Sequence, residues 1–177
     1  VVDENFKEYM GLEDIIKNKI DNLELTSLCS ILDDYMNNEK RELTGSYYTP
    51  GFIIEYIFAS SMIVFLKQNT TLDKSIIEKL IHKESVSNMT KSQLYGLLST
   101  LNGIKIIDIA CGTGLFLHHS FEKLLSIRRL IYKKLDIEFK EYYERKFILE
   151  NNIFGIDIQH GPIEMIALKY IDMLSSY

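Results

Sequence analysis

The feature that most constrains this chain is the isoleucine-rich run Ile104-Lys105-Ile106-Ile107-Asp108-Ile109. It halts at Ala110-Cys111-Gly112-Thr113-Gly114, and a helical pattern starts at Leu115. A short apolar run of this kind reads as a strand buried on both faces, as parallel sheets require. Parallel strands cannot be joined by a tight turn, so a second strand must follow after a crossover. Ile153-Phe154-Gly155-Ile156-Asp157-Ile158 supplies it, just after Asn151-Asn152. Between Ser126 and Glu150, Ile127, Ile131, Leu135, Phe139 and Tyr142 recur on one side, which predicts a single long helix in the crossover. A last helix is expected from about Pro162, carrying Ile163, Ile166, Ala167, Tyr170 and Leu174. Strand, turn, helix, strand, helix is one crossover unit of a parallel α/β sheet. Two strands are few for such a sheet, so the sequence reads as part of a fold.

Upstream the pattern is helical. Tyr9, Leu12, Ile16, Ile20 and Leu23 form one apolar stripe, and Leu25, Leu28, Leu32 and Tyr35 form another. This predicts a helical segment over residues 1–44, for which core packing and contact with a partner are both open. At Thr49-Pro50, Thr49 is expected to accept a backbone N–H at a helix start, with Pro50 in the first helical position. Ile53, Ile54, Ile57, Phe58, Ser61, Met62 and Phe65 continue that helix to about Lys67. Residues 69–103 read as two or three short helices with polar joints.

At 177 residues the chain is long enough for one domain with a proper core. The formal charge is −5, and basic residues occur only in short clusters such as Arg128, Arg129, Lys133 and Lys134. A protein that grips nucleic acid by itself would carry a basic face, so this segment is not expected to do so. Cys29 and Cys111 form no disulfide framework and fit a reducing cytoplasm. No uninterrupted apolar run is as long as a membrane span, and no signal peptide opens the chain. The first residue, Val1, suggests an excised or processed start.

A strand running into a glycine turn that opens a helix is a nucleotide-cofactor signature. The missing side chains let a ligand approach the backbone. An acid closing the next strand can take both hydroxyls of a ribose, and Asp157 stands there. It lies 43 residues beyond Gly114, rather than the usual ~20, with the crossover helix as the surplus. The dinucleotide fingerprint also wants a third glycine where Leu117 stands, which argues against a nicotinamide or flavin enzyme.

Asp108-Ile109-Ala110-Cys111-Gly112-Thr113-Gly114-Leu115-Phe116-Leu117 resembles motif I of the adenine-N6 DNA methyltransferases of restriction–modification systems, with Ile109 in place of the usual proline. Gly45-Ser46-Tyr47-Tyr48-Thr49-Pro50 resembles their motif X, and Asn152-Ile153-Phe154-Gly155-Ile156-Asp157-Ile158 their motif II. The three stand in the order of one class of that family, across residues 45 to 158. The resemblance implies a Rossmann-like, S-adenosylmethionine-binding α/β domain, here incomplete, over residues 45–177. It implies that Tyr47, Tyr48 and Thr49 approach the methionine end of the cofactor. Asp108, Ala110, Gly112 and Gly114 would hold its amino-acid moiety. Asp157 would bind the ribose hydroxyls and Ile158 would flank the adenine. Asp108 also has a role independent of the resemblance, since a carboxylate at a strand end can pair with an ammonium group.

The same residues have plainer readings. Cys111 reads first as a small buried side chain, not a nucleophile. His118 and His119 are adjacent on a helix and cannot easily share a metal, and His82 and His160 are isolated. Tyr47 and Tyr48 could simply pack, and Asp157 could be a solvated strand end. The family's catalytic Asn-Pro-Pro-Tyr motif is missing, because the only prolines are Pro50 and Pro162. The expectation is therefore the cofactor-binding part of a DNA methyltransferase, inactive alone. It would meet DNA through other parts of a parent protein, a specificity or restriction subunit being a candidate partner, with no membrane partner. A protein or RNA methyltransferase, a non-catalytic assembly module and a fragment folded only as an oligomer remain as alternatives.

Overall fold

The structure, a computed structural model, describes residues 49–175. The expected helical segment 1–44, and Tyr47 and Tyr48 with it, lie outside the described residues. Helix α1 (Gly51–Asn69) buries Ile54, Phe58, Ala59, Met62 and Leu66 along one side. It begins one residue later than expected. Pro50 is the N-cap, its carbonyl accepting from the N–H groups of Ile53 at 2.9 Å and Ile54 at 3.2 Å, and no side chain caps the helix. The fixed φ of proline, here −56°, sets the chain direction without help from Thr49. Glu55 and Lys67 interrupt the apolar run in α1, yet the helix is long and apolar enough to cross a membrane by length and composition. Its buried side nevertheless belongs to the core of the described domain.

Two helices fill the next stretch. In α2 (Lys74–Lys83), Ile77, Leu80 and Ile81 recur at three- and four-residue spacing and are buried. Then α3 (Lys91–Gly103) opens with a reciprocal cap: the Gln93 N–H donates to Thr90 Oγ1, and the Thr90 N–H donates to Gln93 Oε1. It buries Leu94, Leu97 and Leu101.

Strands β1 (Ile106–Asp108) and β2 (Ile153–Gly155) pair in parallel, Ile106 opposite Ile153 and Asp108 opposite Gly155. Between them runs α4 (Leu115–Leu135), which buries Leu117, Phe121, Leu124, Leu125 and Ile131. The expectation of a strand buried on both faces is corrected here. Ile107 is 58% exposed and Ile109 77%, and Phe154 and Ile156 are exposed beside them. Among the described residues, nothing covers that face.

The single long crossover helix is also corrected. Asp136 adopts the left-handed conformation (φ 59°), which halts α4, and the Ile137 N–H turns back to the Tyr132 carbonyl. This is a six-to-one helix stop, with Asp where Gly is usual. Phe139 then stands edge-on to Tyr132, with centroids 5.2 Å apart, and α5 (Glu141–Asn151) folds back along α4. Ile127, Ile131 and Leu135 are buried as expected, but Phe139 only leans on the core and Tyr142 is exposed.

Ion pairs hold the two arms of this hairpin together. Arg128, 3% exposed, donates through Nε to Glu144 Oε2 at 2.5 Å and through Nη1 to Asn102 Oδ1 at 2.7 Å. Tyr132 donates its hydroxyl to Glu144 Oε1 at 2.6 Å, and burial together with this bond pushes the phenol up to about 12. Arg129 and Arg145 both donate to Glu141. Burial alone would raise the Glu141 carboxyl, but the two guanidinium groups hold it below the usual range. Arg128 and Arg129, which looked like part of a basic cluster, are therefore occupied internally.

Asn152, fully buried, closes the fold behind the sheet. Its Nδ2 donates to the carbonyls of Leu101 at 3.2 Å and Ile104 at 2.8 Å, and its own carbonyl accepts from the Ile106 N–H at 2.7 Å. The last helix, α6 (His160–Ser175), starts slightly before Pro162 and leans Ile163, Ile166 and Met173 on the core.

Two stability predictions follow from these contacts. Replacing Glu144 with Ala leaves Arg128 as an unpaired buried charge and should cost about 3–5 kcal/mol in urea denaturation. The double change Arg128→Met/Glu144→Leu should recover most of that loss, and equal losses for the single and double variants would refute the pairing account. The second concerns His118, whose Nδ1 is buried without a partner. Burial, then Lys169, His119 and Arg145, lower its pKa to about 4. The unfolded chain holds the His118 proton more tightly, so this contribution to stability is full above pH ~6.5 and is lost as pH falls toward 4. Thermal melts between pH 7 and 4.5 should show a steeper decline for the wild type than for His118→Gln.

Candidate functional site

The parallel pairing carries both expected acids to the same edge of the sheet. Asp108 ends β1, and the ladder continues past it: the Ile156 N–H donates to the Asp108 carbonyl at 2.8 Å, and the Cys111 N–H to the Ile156 carbonyl at 3.0 Å. The chain then turns sharply. The Ala110 N–H donates to Asp108 Oδ1 at 3.1 Å, and the Gly114 N–H to the Cys111 carbonyl at 2.8 Å. Gly112 (φ 50°) and Gly114 (φ 79°) are both left-handed, the conformation that glycine adopts without steric cost. Gly114 is also the N-cap of α4, and a Cβ there would lie 2.7 Å from Ile166 Cγ1.

Asp157 meets this turn directly. Its Oδ2 accepts from the Gly112 N–H at 2.8 Å, and its Oδ1 from the Gln159 N–H at 2.9 Å. Each oxygen thus holds one backbone donor and keeps lone-pair capacity for another. Asp157 is no free solvated strand end. Gly155 lets β2 pass close beneath the start of α4, since a Cβ there would meet Leu117 Cδ1 at 2.7 Å and Cys111 Sγ at 3.0 Å. Cys111 is buried, and burial, then Asp108 and Asp157, raise its thiol pKa. It stays a protonated packing group, not a nucleophile. Both carboxylates stand near enough to act on it, so the turn is an acidic place in spite of the helix N-terminus beside it.

Ala110 is exposed and Ile158 is 97% exposed. The structure thus gathers Asp108, Ala110, Gly112, Gly114, Asp157 and Ile158 around one edge of the sheet. Thr49 is exposed just ahead of α1, and Tyr47 and Tyr48 are not described. Among the described residues, no group of three or more His, Cys, Asp or Glu side chains could hold a metal.

Sequence reasoning missed the contacts of three residues. Gln159 acts through its backbone N–H, which leaves no side-chain signal, although an Asp bonding two residues ahead is a common turn device. Asp108 and Ala110 repeat that device. Glu55 and His119, whose side chains approach to 3.0 Å, join α1 to α4 across 64 residues, which no local pattern reveals.

No protein-family model matches the chain, and no solved structure matches it. A protein of Methanocaldococcus jannaschii that bears the name of a type II restriction enzyme and methyltransferase is 29% identical over 135 residues. The aligned part is 71% of this chain but only 11% of that protein, so the chain spans about a tenth of its relative's length.

Proposed function

We propose that this chain is the S-adenosylmethionine-binding part of a DNA adenine-N6 methyltransferase of a restriction–modification system, working in the cytoplasm. One observation carries the reading: the Asp157 carboxylate is fastened to the Gly112 N–H at 2.8 Å, beside the turn that Asp108 opens. The donor set fits this cofactor. A site bearing two carboxylates disfavours phosphates and favours a ligand with an ammonium group, a sulfonium and a ribose diol. Likeness to a combined restriction and methylation protein supports the same reading.

In its bound state the cofactor supplies a methyl group made electrophilic by the sulfonium charge. The residues of this chain bind and orient. Asp157 accepts from the ribose hydroxyls, Asp108 pairs with the ammonium group, and Gly112 and Gly114 let the ligand approach the backbone. Thr49 would approach the methionine end, as the resemblance implies also for Tyr47 and Tyr48, and Ile158 would flank the adenine. Reaction with a base turned out of the duplex needs a further motif to hold that base, and this chain has no Pro-Pro pair to form one. DNA contacts and any specificity or restriction subunit belong to other parts of the parent protein.

Calorimetric titration with S-adenosylmethionine tests the reading. The wild type should bind saturably. Asp157→Ala should bind about 10- to 100-fold more weakly, as expected on losing hydrogen bonds to a charged group. Gly114→Ala should lose binding as well, through backbone strain and the contact with Ile166. A folded chain that binds no cofactor, or an Asp157→Ala variant that binds equally well, would overturn the assignment.

A further inference from the structure

A polar contact joins the openings of α1 and α4. Glu55 Oε2 lies 3.0 Å from His119 Nε2 and 3.5 Å from Lys123 Nζ. Lys123 also reaches Glu84 Oε1 at 3.4 Å, and Ser126 donates its hydroxyl to Glu84 Oε2 at 3.0 Å. The Phe58 ring stands edge-on to His119, with centroids 5.5 Å apart. The His119 approach meets ion-pair distance without hydrogen-bond geometry at Nε2. Burial lowers the His119 pKa, against the pull of Glu55 and with the help of Lys123, so at neutral pH Lys123 supplies the countercharge.

Such half-exposed pairs add little to stability, about 0–1 kcal/mol. Their position is the informative part. Glu55 stands six residues past Thr49, and His119 five past Gly114. At 1.5 Å of rise per residue, both helix openings lie within about 9 Å of this crossing. Among the described residues, the opening of α1 is tied by a polar side chain only at Glu55. It has no side-chain cap, and Phe52 and Tyr56 face solvent at 75% and 71% exposure. The buried Ile54 and Phe58 hold it by apolar contact, which attracts without fixing direction.

We propose that Glu55 is a positioning residue of the cofactor site, its carboxylate held by Lys123 beside His119 so that the start of α1, with Thr49, registers on the start of α4, with Gly112 and Gly114. The inference rests on the S-adenosylmethionine reading above and adds a residue that touches no cofactor itself.

The test is titration of the full chain with S-adenosylmethionine for wild type, Glu55→Gln, Thr49→Ala and the double variant, beside amide hydrogen exchange. Glu55→Gln should weaken binding about 5-fold or more, the lower end of ordinary coupling between sites. It should also quicken exchange at Ile53 and Ile54, whose amides bond the Pro50 carbonyl, without lowering the melting temperature. In the Thr49→Ala background the same change should add little, because the effect passes through Thr49. Unweakened binding by Glu55→Gln, or an equal loss in both backgrounds, overturns the positioning role and leaves the cofactor reading standing. A folded wild type that binds no cofactor sinks both.

Discussion

Everything in the described domain follows from the parallel pairing of Ile106–Asp108 with Ile153–Gly155. A parallel pair needs a crossover, and the crossover must bring the chain back to the same end of the sheet before the second strand begins. Here it does so with two helices, α4 outward and α5 back. The return is secured by the buried contact of Arg128 with Glu144 and by Asn152 at the foot of β2. Because both strands then run the same way, their far ends coincide, and Asp157 reaches the glycine turn 45 residues earlier in the chain.

The charge on that edge follows from the same geometry. A helix N-terminus with glycine N–H groups ordinarily welcomes anions. Two aspartates at the ends of adjacent strands supply the anions from within, one bonding Ala110 and the other Gly112 and Gln159. The glycine turn is therefore partly satisfied by the protein's own carboxylates.

Much of this was legible in the sequence, for local reasons. The glycine turn announced itself because two glycines in three residues suit repeated left-handed backbone, and Asp157 stood out as the acid closing the second strand, although its bond to the Gly112 N–H left no local mark. Other features were not legible. The break at Asp136 carries no glycine, and the isoleucine stripe runs on through it, so one helix and a helical hairpin write the same pattern. Ile107 and Ile109 look alike in sequence whether their face is covered or bare. Arg128 reads as a surface charge until Glu144, on another helix, is folded against it. Pairings between separate elements leave no local mark, and the contact of Glu55 with His119 is the clearest case.

The helical hairpin separates two jobs that most crossovers combine. Helix α4 has 21 residues, so it leads roughly 30 Å away from the glycine turn before the chain reverses at Asp136. The acidic edge is set at one end of this arm, while the joint between α4 and α5 lies at the other, with exposed Lys133, Lys134, Glu138 and Lys140 around it. Loop length costs little entropy, so the tip can lengthen, shorten or accept an inserted peptide without moving the strand ends. The tip, unlike the core-packed arm that carries it, is a natural place for an engineered label.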